Sequence, residues 1–351
     1  MLDLDIALED KYRKESGQVY MSGTQALVRL MMLQAQADRR AGLNTAGFVS
    51  GYRGSPLGAL DFEFWRARKH LDEHDIVFES GLNEDLAATA VWGSQQVNLF
   101  PGARHDGVFA MWYGKGPGVD RSGDVFKHGN FAGTSKHGGV LALAGDDHAA
   151  KSTSTASQAE YSFLDAMMPV LVPTNAQEFL DFGLYGYALS RYSGLWVGFK
   201  VTATNVDTSG TVLVNPDHGP FKIPNFEFPA DGVNIRLPDD LIPQEVRLRH
   251  FKLPAVGAFL RANQIDKIKL DSPNPRLGIV TAGKSWLDVA QALEELGIDA
   301  DAAAKMGLRV YKLGITWPIE PEGLVRFAEG LEEILVIEEK RGFIEDQIKT
   351  I

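Results

Sequence analysis

Hydrophobic positions along this chain switch repeatedly between two spacings. From Gly23 to about Arg40, the residues Ala26, Leu27, Leu30, Met31 and Leu33 share one broad face at helical spacing, which predicts a helix. Thr45–Ser50 then reads as a buried strand, Ile76–Glu79 as a short β-type run, and Gly107–Tyr113, Gly138–Gly145, Pro169–Pro173 and Leu195–Thr202 as further apolar strands. Between them, a small-residue helix starts at Glu84 and another covers about Ala176–Ser190. Such alternation predicts a parallel sheet covered by helices on both faces. Residues 1–20 are polar and are expected to wrap the surface.

From Pro216 to about Pro275 the pattern changes: the stretch is proline-rich and carries Arg247, Arg249, His250, Lys252 and Arg261. It reads as an extended linker followed by one or two helices. A second βα series begins at Arg276–Gly283. Its elements are a helix over about Trp286–Leu296, a strand Arg309–Leu313, a helix over about Pro321–Glu329, a strand Glu333–Ile337 and a helix from near Phe343.

Composition narrows the classes. The chain has 351 residues, 44% hydrophobic and 23% charged, an ordinary globular balance with length for about two domains on a prior of roughly 150 residues each. A net charge of -11 argues against a general nucleic-acid or membrane-surface binder. With no cysteine, the chain holds no disulfide, cysteine nucleophile or cysteine-ligated cluster. The first residues are charged from Asp3 onward, unlike a signal or transit peptide. No apolar run reaches the roughly 20 residues of a membrane span. A cytoplasmic protein is expected.

Candidate chemistry gathers after the strands. Glu84 opens its helix, where a carboxylate complements the positive end of the helix dipole. The small residues Ala87, Ala88 and Ala90 beside it also leave room for a flat ligand at a strand-to-helix corner. The loop Gly51–Gly58 has glycines that allow close backbone approach to a ligand, yet matches no phosphate-loop pattern. The glycine-dense Gly114–Gly123 segment, with Lys115, Asp120 and Arg121, reads either as a ligand-contacting loop or as a mobile surface loop. Asp146, Asp147 and His148 suggest acid–base work or a divalent cation, or a polar strand end whose carboxylates bind turn amides. A Ser/Thr-rich tract, Lys151–Gln158, follows. His70 and His74 have ligand spacing but no third partner nearby, and read as the solvated end of a helix.

In order and spacing, these motifs resemble the 2-oxoacid:ferredoxin oxidoreductases, most closely the indolepyruvate ferredoxin oxidoreductase branch in its long, fused bacterial form. Tyr52-Arg-Gly-Ser-Pro56 looks like the family's Tyr-Pro-Gly-Thr-Pro loop, with Arg53 replacing proline and Ser55 replacing threonine. Glu84-Asp-Leu-Ala-Ala-Thr-Ala-Val-Trp-Gly93 is similar to its Glu-x-x-Ala-(Ala/Gly)-x-Ala-x-x-Gly segment, and Gly139-Val-Leu-Ala-Leu-Ala-Gly-Asp-Asp147 to its strand ending in Asp-Asp. Thr202-Ala-Thr-Asn-Val206 stands where the family has Thr-Thr-x-Arg-Val, and Leu335-Val-Ile-Glu-Glu339 looks like its second-domain strand.

The resemblance implies a doubly wound thiamine diphosphate-binding (pyrimidine-type) α/β domain over 1–215. A linker with helices over 216–274 and a smaller transketolase C-terminal-like α/β domain over 275–351 would follow. It implies oxidative decarboxylation of a 2-oxoacid, an aryl pyruvate such as indolepyruvate by the nearest branch, to an acyl-CoA. Glu84 becomes the catalytic carboxylate that hydrogen-bonds the aminopyrimidine. Tyr52, Gly54, Pro56, Gly116, Asp146 and Asp147 become further cofactor-binding candidates. Ser55 and Arg121 become substrate-binding candidates, Arg121 as a clamp on the carboxylate. The family's magnesium–diphosphate module and its [4Fe-4S] cysteines are absent from this sequence. Mg²⁺ and the clusters are therefore expected on the remainder of the enzyme, its diphosphate-binding and gamma-type domains. The other expected partners are ferredoxin, coenzyme A and a second copy in a homodimer. Alternatives are a non-catalytic assembly subunit of the same fold, with Arg53 and Ser55 as its departures, and an unrelated α/β nucleotide-binding module using Gly114–Gly123.

Overall fold

A computed structural model describes residues 7–149, 156–215 and 221–351. The Lys151–Thr155 part of the Ser/Thr-rich tract, the start of the linker at Pro216–Pro220 and the first six residues lie outside that description. Among the described residues, thirteen strands run in chain order: β1 (Gly17–Ser22), β2 (Thr45–Gly51), β3 (Ile76–Phe78), β4 (Gly107–Lys115), β5 (Val140–Gly145), β6 (Val170–Leu171), β7 (Val197–Val201), β8 (Ser209–Val214), β9 (Lys267–Leu270), β10 (Leu277–Ala282), β11 (Leu308–Leu313), β12 (Ile315–Trp317) and β13 (Glu333–Ile337).

The main sheet has the order β12-β6-β7-β5-β4-β2-β3, parallel throughout except for β12. Alternation along β4 explains its two covered faces. Phe109, Met111 and Tyr113 enter one core with the helices Gly23–Arg40 and Ala176–Ser193, while Ala110 and Trp112 enter the other with the helix Glu84–Ser94. The long helix Gly23–Arg40 starts where predicted because Ser22 and Gln25 form a capping box. Helix Ala176–Ser193 runs three residues further than expected and stops at Gly194, whose φ of 74° suits a left-handed cap.

The chain's opening is more structured than its polarity implied. β1 pairs antiparallel with β8, and Tyr12 of the short helix Asp10–Arg13 packs on His70 with ring centroids 5.6 Å apart. His70 is therefore buried, not the solvated helix end expected, because a non-local segment covers it.

The second sheet has the order β13-β10-β11-β9. Its β9 comes from the stretch read as linker, which is a correction: Ile268 and Leu270 alternate with lysines, a weak strand signal that pairing with β11 completes. The preceding helical stretch, Leu241–Arg247 and Leu253–Ala262 joined by a π turn, enters the first core through Val256, Phe259 and Leu260. Immediately after β11 the chain returns to the main sheet as β12 beside β6. The two units are interlaced.

Candidate functional site

Parallel strands deliver their loops to the carboxyl edge of the sheet, the position at which open α/β sheets hold ligands. The loop after β2 is tied down by the Tyr52 N–H donating to the Tyr113 carbonyl at 3.0 Å, and Gly81 N–H donates to the Gly51 carbonyl at 2.8 Å. Gly51 itself has no room for a side chain, since a Cβ there would stand 2.2 Å from that Tyr113 oxygen. Pro56 closes over the end of β5: a Cβ on Gly145 would lie 2.8 Å from its Cδ. A Cβ on Gly54 would lie 3.0 Å from Lys115 Cδ, so the lysine's aliphatic stem runs along the loop. Tyr52, Gly54, Ser55 and Pro56 thus sit together, next to the end of β4.

Glu84 is the first residue of its helix, after the N-cap Asn83, whose side chain accepts from Leu86 N–H. Its main-chain carbonyl accepts from Trp112 Nε1 at 2.9 Å, which anchors this corner to the buried strand. The residue is only 8% exposed. Among the described residues no hydrogen bond or ion pair reaches its carboxylate. Glycines wall it in: a Cβ on Gly114 would lie 3.4 Å from Glu84 Cγ, and one on Gly118 would lie 2.5 Å from Cγ and 2.9 Å from Oε1. The carboxylate therefore has no protein partner of its own among the described residues.

The Gly114–Gly123 segment is not the long loop expected. β4 extends to Lys115, a helix occupies Gly116–Arg121 with Pro117 in its first turn, and a second helix follows from Gly123. Its glycines serve close packing: beside the Gly118 contact, a Cβ on Gly116 would stand 2.2 Å from Ser157 Oγ and 3.3 Å from Asp146 Oδ1. Arg121 ends up on the surface, its Nε 2.6 Å from Asp85 Oδ1. The guanidinium proposed as a substrate clamp already has a carboxylate partner.

The two aspartates also have protein partners. Asp146, buried, accepts from Ala159 N–H at 2.7 Å and faces Lys340 Nζ at 3.4 Å; burial pushes its carboxyl above the usual range. Asp147 accepts from Ala203 N–H at 2.6 Å, at the start of the turn Ala203–Val206. Both carboxylates thus hold main-chain amides at a strand end, in keeping with the turn-amide reading of this segment. No group of three or more ligands that could hold a metal occurs among the described residues.

Sequence reasoning missed three features here. Tyr113 hydroxyl donates to the buried carboxylate of Asp61, whose pKa is raised by burial. Lys200 and Glu160 form a buried ion pair at 2.6 Å. Lys115 was passed over as one charge in a loop. The first two are long-range partnerships with no local signal; Lys115 was visible, flanked by two glycines.

The fold is an α/β architecture with a second α/β unit, of the kind found in a 2-oxoacid:ferredoxin oxidoreductase. The comparisons agree. Residues 267–351 match the family model described as an indolepyruvate oxidoreductase domain. The chain is similar to indolepyruvate oxidoreductase subunit IorA of Methanothermobacter thermautotrophicus, at 26% identity over 92% of this chain and 48% of that one. It is 28% identical to the IorA of Pyrococcus abyssi over 92% of this chain and 47% of that one. The chain therefore spans about half the length of the curated relatives it matches. Among solved structures, a 2-oxoglutarate:ferredoxin oxidoreductase from Magnetococcus marinus superposes with a TM-score of 0.69 at 14% identity, covering 95% of this chain and 60% of that one. That likeness establishes the fold. No helix among the described residues is long and apolar enough to cross a membrane.

Proposed function

We propose that this chain supplies the aminopyrimidine-binding half of a thiamine diphosphate site in an oxidoreductase of 2-oxo acids, with an aryl pyruvate such as indolepyruvate as substrate. The observation that carries this is Glu84: buried, unpaired and walled by Gly114 and Gly118 at the carboxyl edge of the sheet. When bound, the cofactor supplies a carbon nucleophile and an electron sink for the carbon released by decarboxylation. Glu84 would hold a proton at the ring nitrogen of the aminopyrimidine, a charge-assisted hydrogen bond in a site from which Gly114 and Gly118 exclude other side chains. Tyr52, Gly54 and Pro56 would line the same cleft, Gly116 its floor, and Ser55 would donate to the substrate. In the overall reaction the 2-oxo acid loses CO₂, its acyl group joins coenzyme A, and two electrons pass singly to ferredoxin. The Mg²⁺–diphosphate and [4Fe-4S] sites, like the second copy of a homodimer, would come from the rest of the enzyme, so this chain alone would not turn over.

The test is Glu84→Gln in the full-length enzyme. Thiamine diphosphate binding is followed by calorimetry with Mg²⁺, and turnover by 2-oxoacid-dependent ferredoxin reduction. Retained cofactor binding with turnover lower by about 100-fold or more, the usual scale for a lost acid–base group, is expected. Unchanged turnover would leave Glu84 as a helix-start residue and remove the reading.

A further inference from the structure

At the amino edge of the main sheet, opposite the strand ends that carry Glu84, lies a cavity of about 1160 Å³. Asp38 and Arg40, in the last turn of helix Gly23–Arg40, reach it just before β2, and Lys136 and His137 reach it just before β5. One wall is helix Gly23–Arg40 with Leu33 and Ala37, and a second is helix Ala176–Ser193 with Leu184 and Ala188. The third is the segment 221–234, which forms neither helix nor strand. That segment is tied down at its ends. Lys222 N–H donates to Asn263 Oδ1 at 2.8 Å, the Tyr192 hydroxyl donates to the Pro224 carbonyl at 3.1 Å, and Ile235 N–H donates to the Thr134 carbonyl at 3.0 Å. Between these ties, residues 225–232 make no hydrogen bond to either helix among the described residues. They bring Phe226 and Phe228 to the cavity with ring centroids 5.0 Å apart, and Tyr192 lies 5.3 Å from Phe228.

We infer that this cavity is a separate ligand site for an amphipathic organic acid, a carboxylate head on an aryl or long acyl body. Its size exceeds the roughly 300–1,000 Å³ of most small-molecule sites, and its mostly apolar walls with few polar groups suit a body that leaves water. The rings of Tyr192, Phe226 and Phe228 offer faces and edges to an aryl group or an alkyl chain. Charge sets the head. Asp38 is the only carboxylate on the wall among the described residues, and its oxygens are taken. They accept from the Arg191 guanidinium at 2.6 and 2.7 Å, from Thr45 Oγ1 at 2.6 Å and from Gln34 Nε2 at 2.9 Å. The side chains of Lys136 and His137 carry neither a hydrogen bond nor an ion pair among the described residues. Burial, with Lys136 and Arg191 adding to it, lowers the His137 pKa, so the imidazole offers a hydrogen bond beside the ammonium's charge. In a chain of net charge -11, this rim attracts an anionic head and repels a cationic one. The cavity is on the far side of the sheet from Glu84, so the inference does not depend on the proposed function.

The test titrates the full-length enzyme by calorimetry with naphthylacetate and with dodecanoate, each against its neutral amide, and with dodecyltrimethylammonium. Saturable binding of an acid is expected, about 10-fold tighter than its amide, the scale of one charge-assisted hydrogen bond. The better of the two acids tells an aryl from an acyl body, and either upholds the site. Lys136→Gln combined with His137→Gln should remove the preference for acid over amide while the amide still binds. Ala188→Trp and Ala37→Trp fill the cavity from opposite walls, and each should abolish binding of acid and amide alike. A wild-type unfolding midpoint in either tryptophan variant shows that the loss is not one of folding. Glu84→Gln should bind the acid as wild type does, whatever it does to turnover. No saturable binding to the full-length enzyme overturns the inference, and so does a cationic amphiphile bound as tightly as the acid. Binding that survives both tryptophan variants overturns it too. If Glu84→Gln loses the acid, the ligand sits at the carboxyl edge and the separate site falls.

Discussion

Gly118 and Glu84 touch across two elements that are far apart in sequence: a Cβ on the glycine would sit 2.5 Å from the glutamate's Cγ. The short helix Gly116–Arg121 is thereby the wall that fixes the carboxylate's direction. Gly118→Ala should drive Glu84 off its rotamer while the sheet stays intact, because the clash falls on a side chain. On the proposed role of Glu84, turnover of the full-length enzyme should fall on the order of 10–100-fold, as expected when a proton-handling group is misplaced. Circular dichroism should be unchanged. Wild-type rates in this variant would show that the glycine serves packing alone.

Trp112 ties the other end of the same residue. Its Nε1 donates to the Glu84 carbonyl in a fully buried setting. Trp112→Phe leaves that carbonyl unmatched and removes ring volume, so the chain should lose about 1–3 kcal/mol, the cost of an unsatisfied buried polar group. Urea denaturation reads the difference. A change under about half a kcal/mol, the ordinary range for surface substitutions, would mean that water or another donor replaces the indole.

Lys200 and Glu160 lie almost fully buried, bonded at 2.6 Å, and Glu160 keeps one oxygen without a partner. Such a pair is weak support for stability as a unit, but removing one member strands the other. Lys200→Met should destabilise by about 3–5 kcal/mol, and adding Glu160→Met should recover most of it. Chemical denaturation of the two single variants and the double decides. Equal losses in all three would place the effect in packing.

His148 sits where the two units meet, 3.4 Å from Glu339. Burial, with Lys200, Lys340 and Lys284 adding to it, holds its pKa down to about 3. An imidazole depressed in the folded state stays neutral there while the unfolded chain takes up a proton. Its contribution is therefore whole above the ordinary value near 6.5 and is lost as pH falls from there toward 3. Asp146 next to it is shifted upward and works in the opposite sense. The quantity to measure is thus the difference between wild type and His148→Gln. The variant should show a shallower loss of unfolding midpoint between pH 6.5 and 4, and identical slopes would remove His148 from the acid response.

Much of the main sheet was legible because each parallel strand carries its own apolar run and each helix its own periodicity. Glu84 was legible for the same reason: it opens a helix right after a strand. What escaped was either non-local or disguised. Gly116 and Pro117 read as loop, yet proline belongs in a first helical turn and glycine was required by the side chains opposite. Arg121 pairs with Asp85 of another helix, and Asp146 and Asp147 with amides of segments that follow later, none of which sequence spacing reveals. His70 looked solvated until Tyr12 covered it.

The three residues of β12 were the least legible element, and they bear the most direct structural test. Ile315 and Trp317 pair with Leu171 and Val170, and Ile315 is fully buried in the first core. Val172 N–H donates to the Gly314 carbonyl at 2.9 Å, so the return of the chain also completes the hydrogen bonding at the end of β6. A chain ended at Asp266 would leave β6 as an open edge with apolar neighbours, the arrangement that invites edge-to-edge association. Residues 1–266 alone should elute as oligomers or aggregate and should be cut faster by protease than the 351-residue chain. A monomeric, equally protected fragment would show that the first unit closes its own sheet. In that case β12 would be an attachment point for the second unit rather than part of the first one's fold.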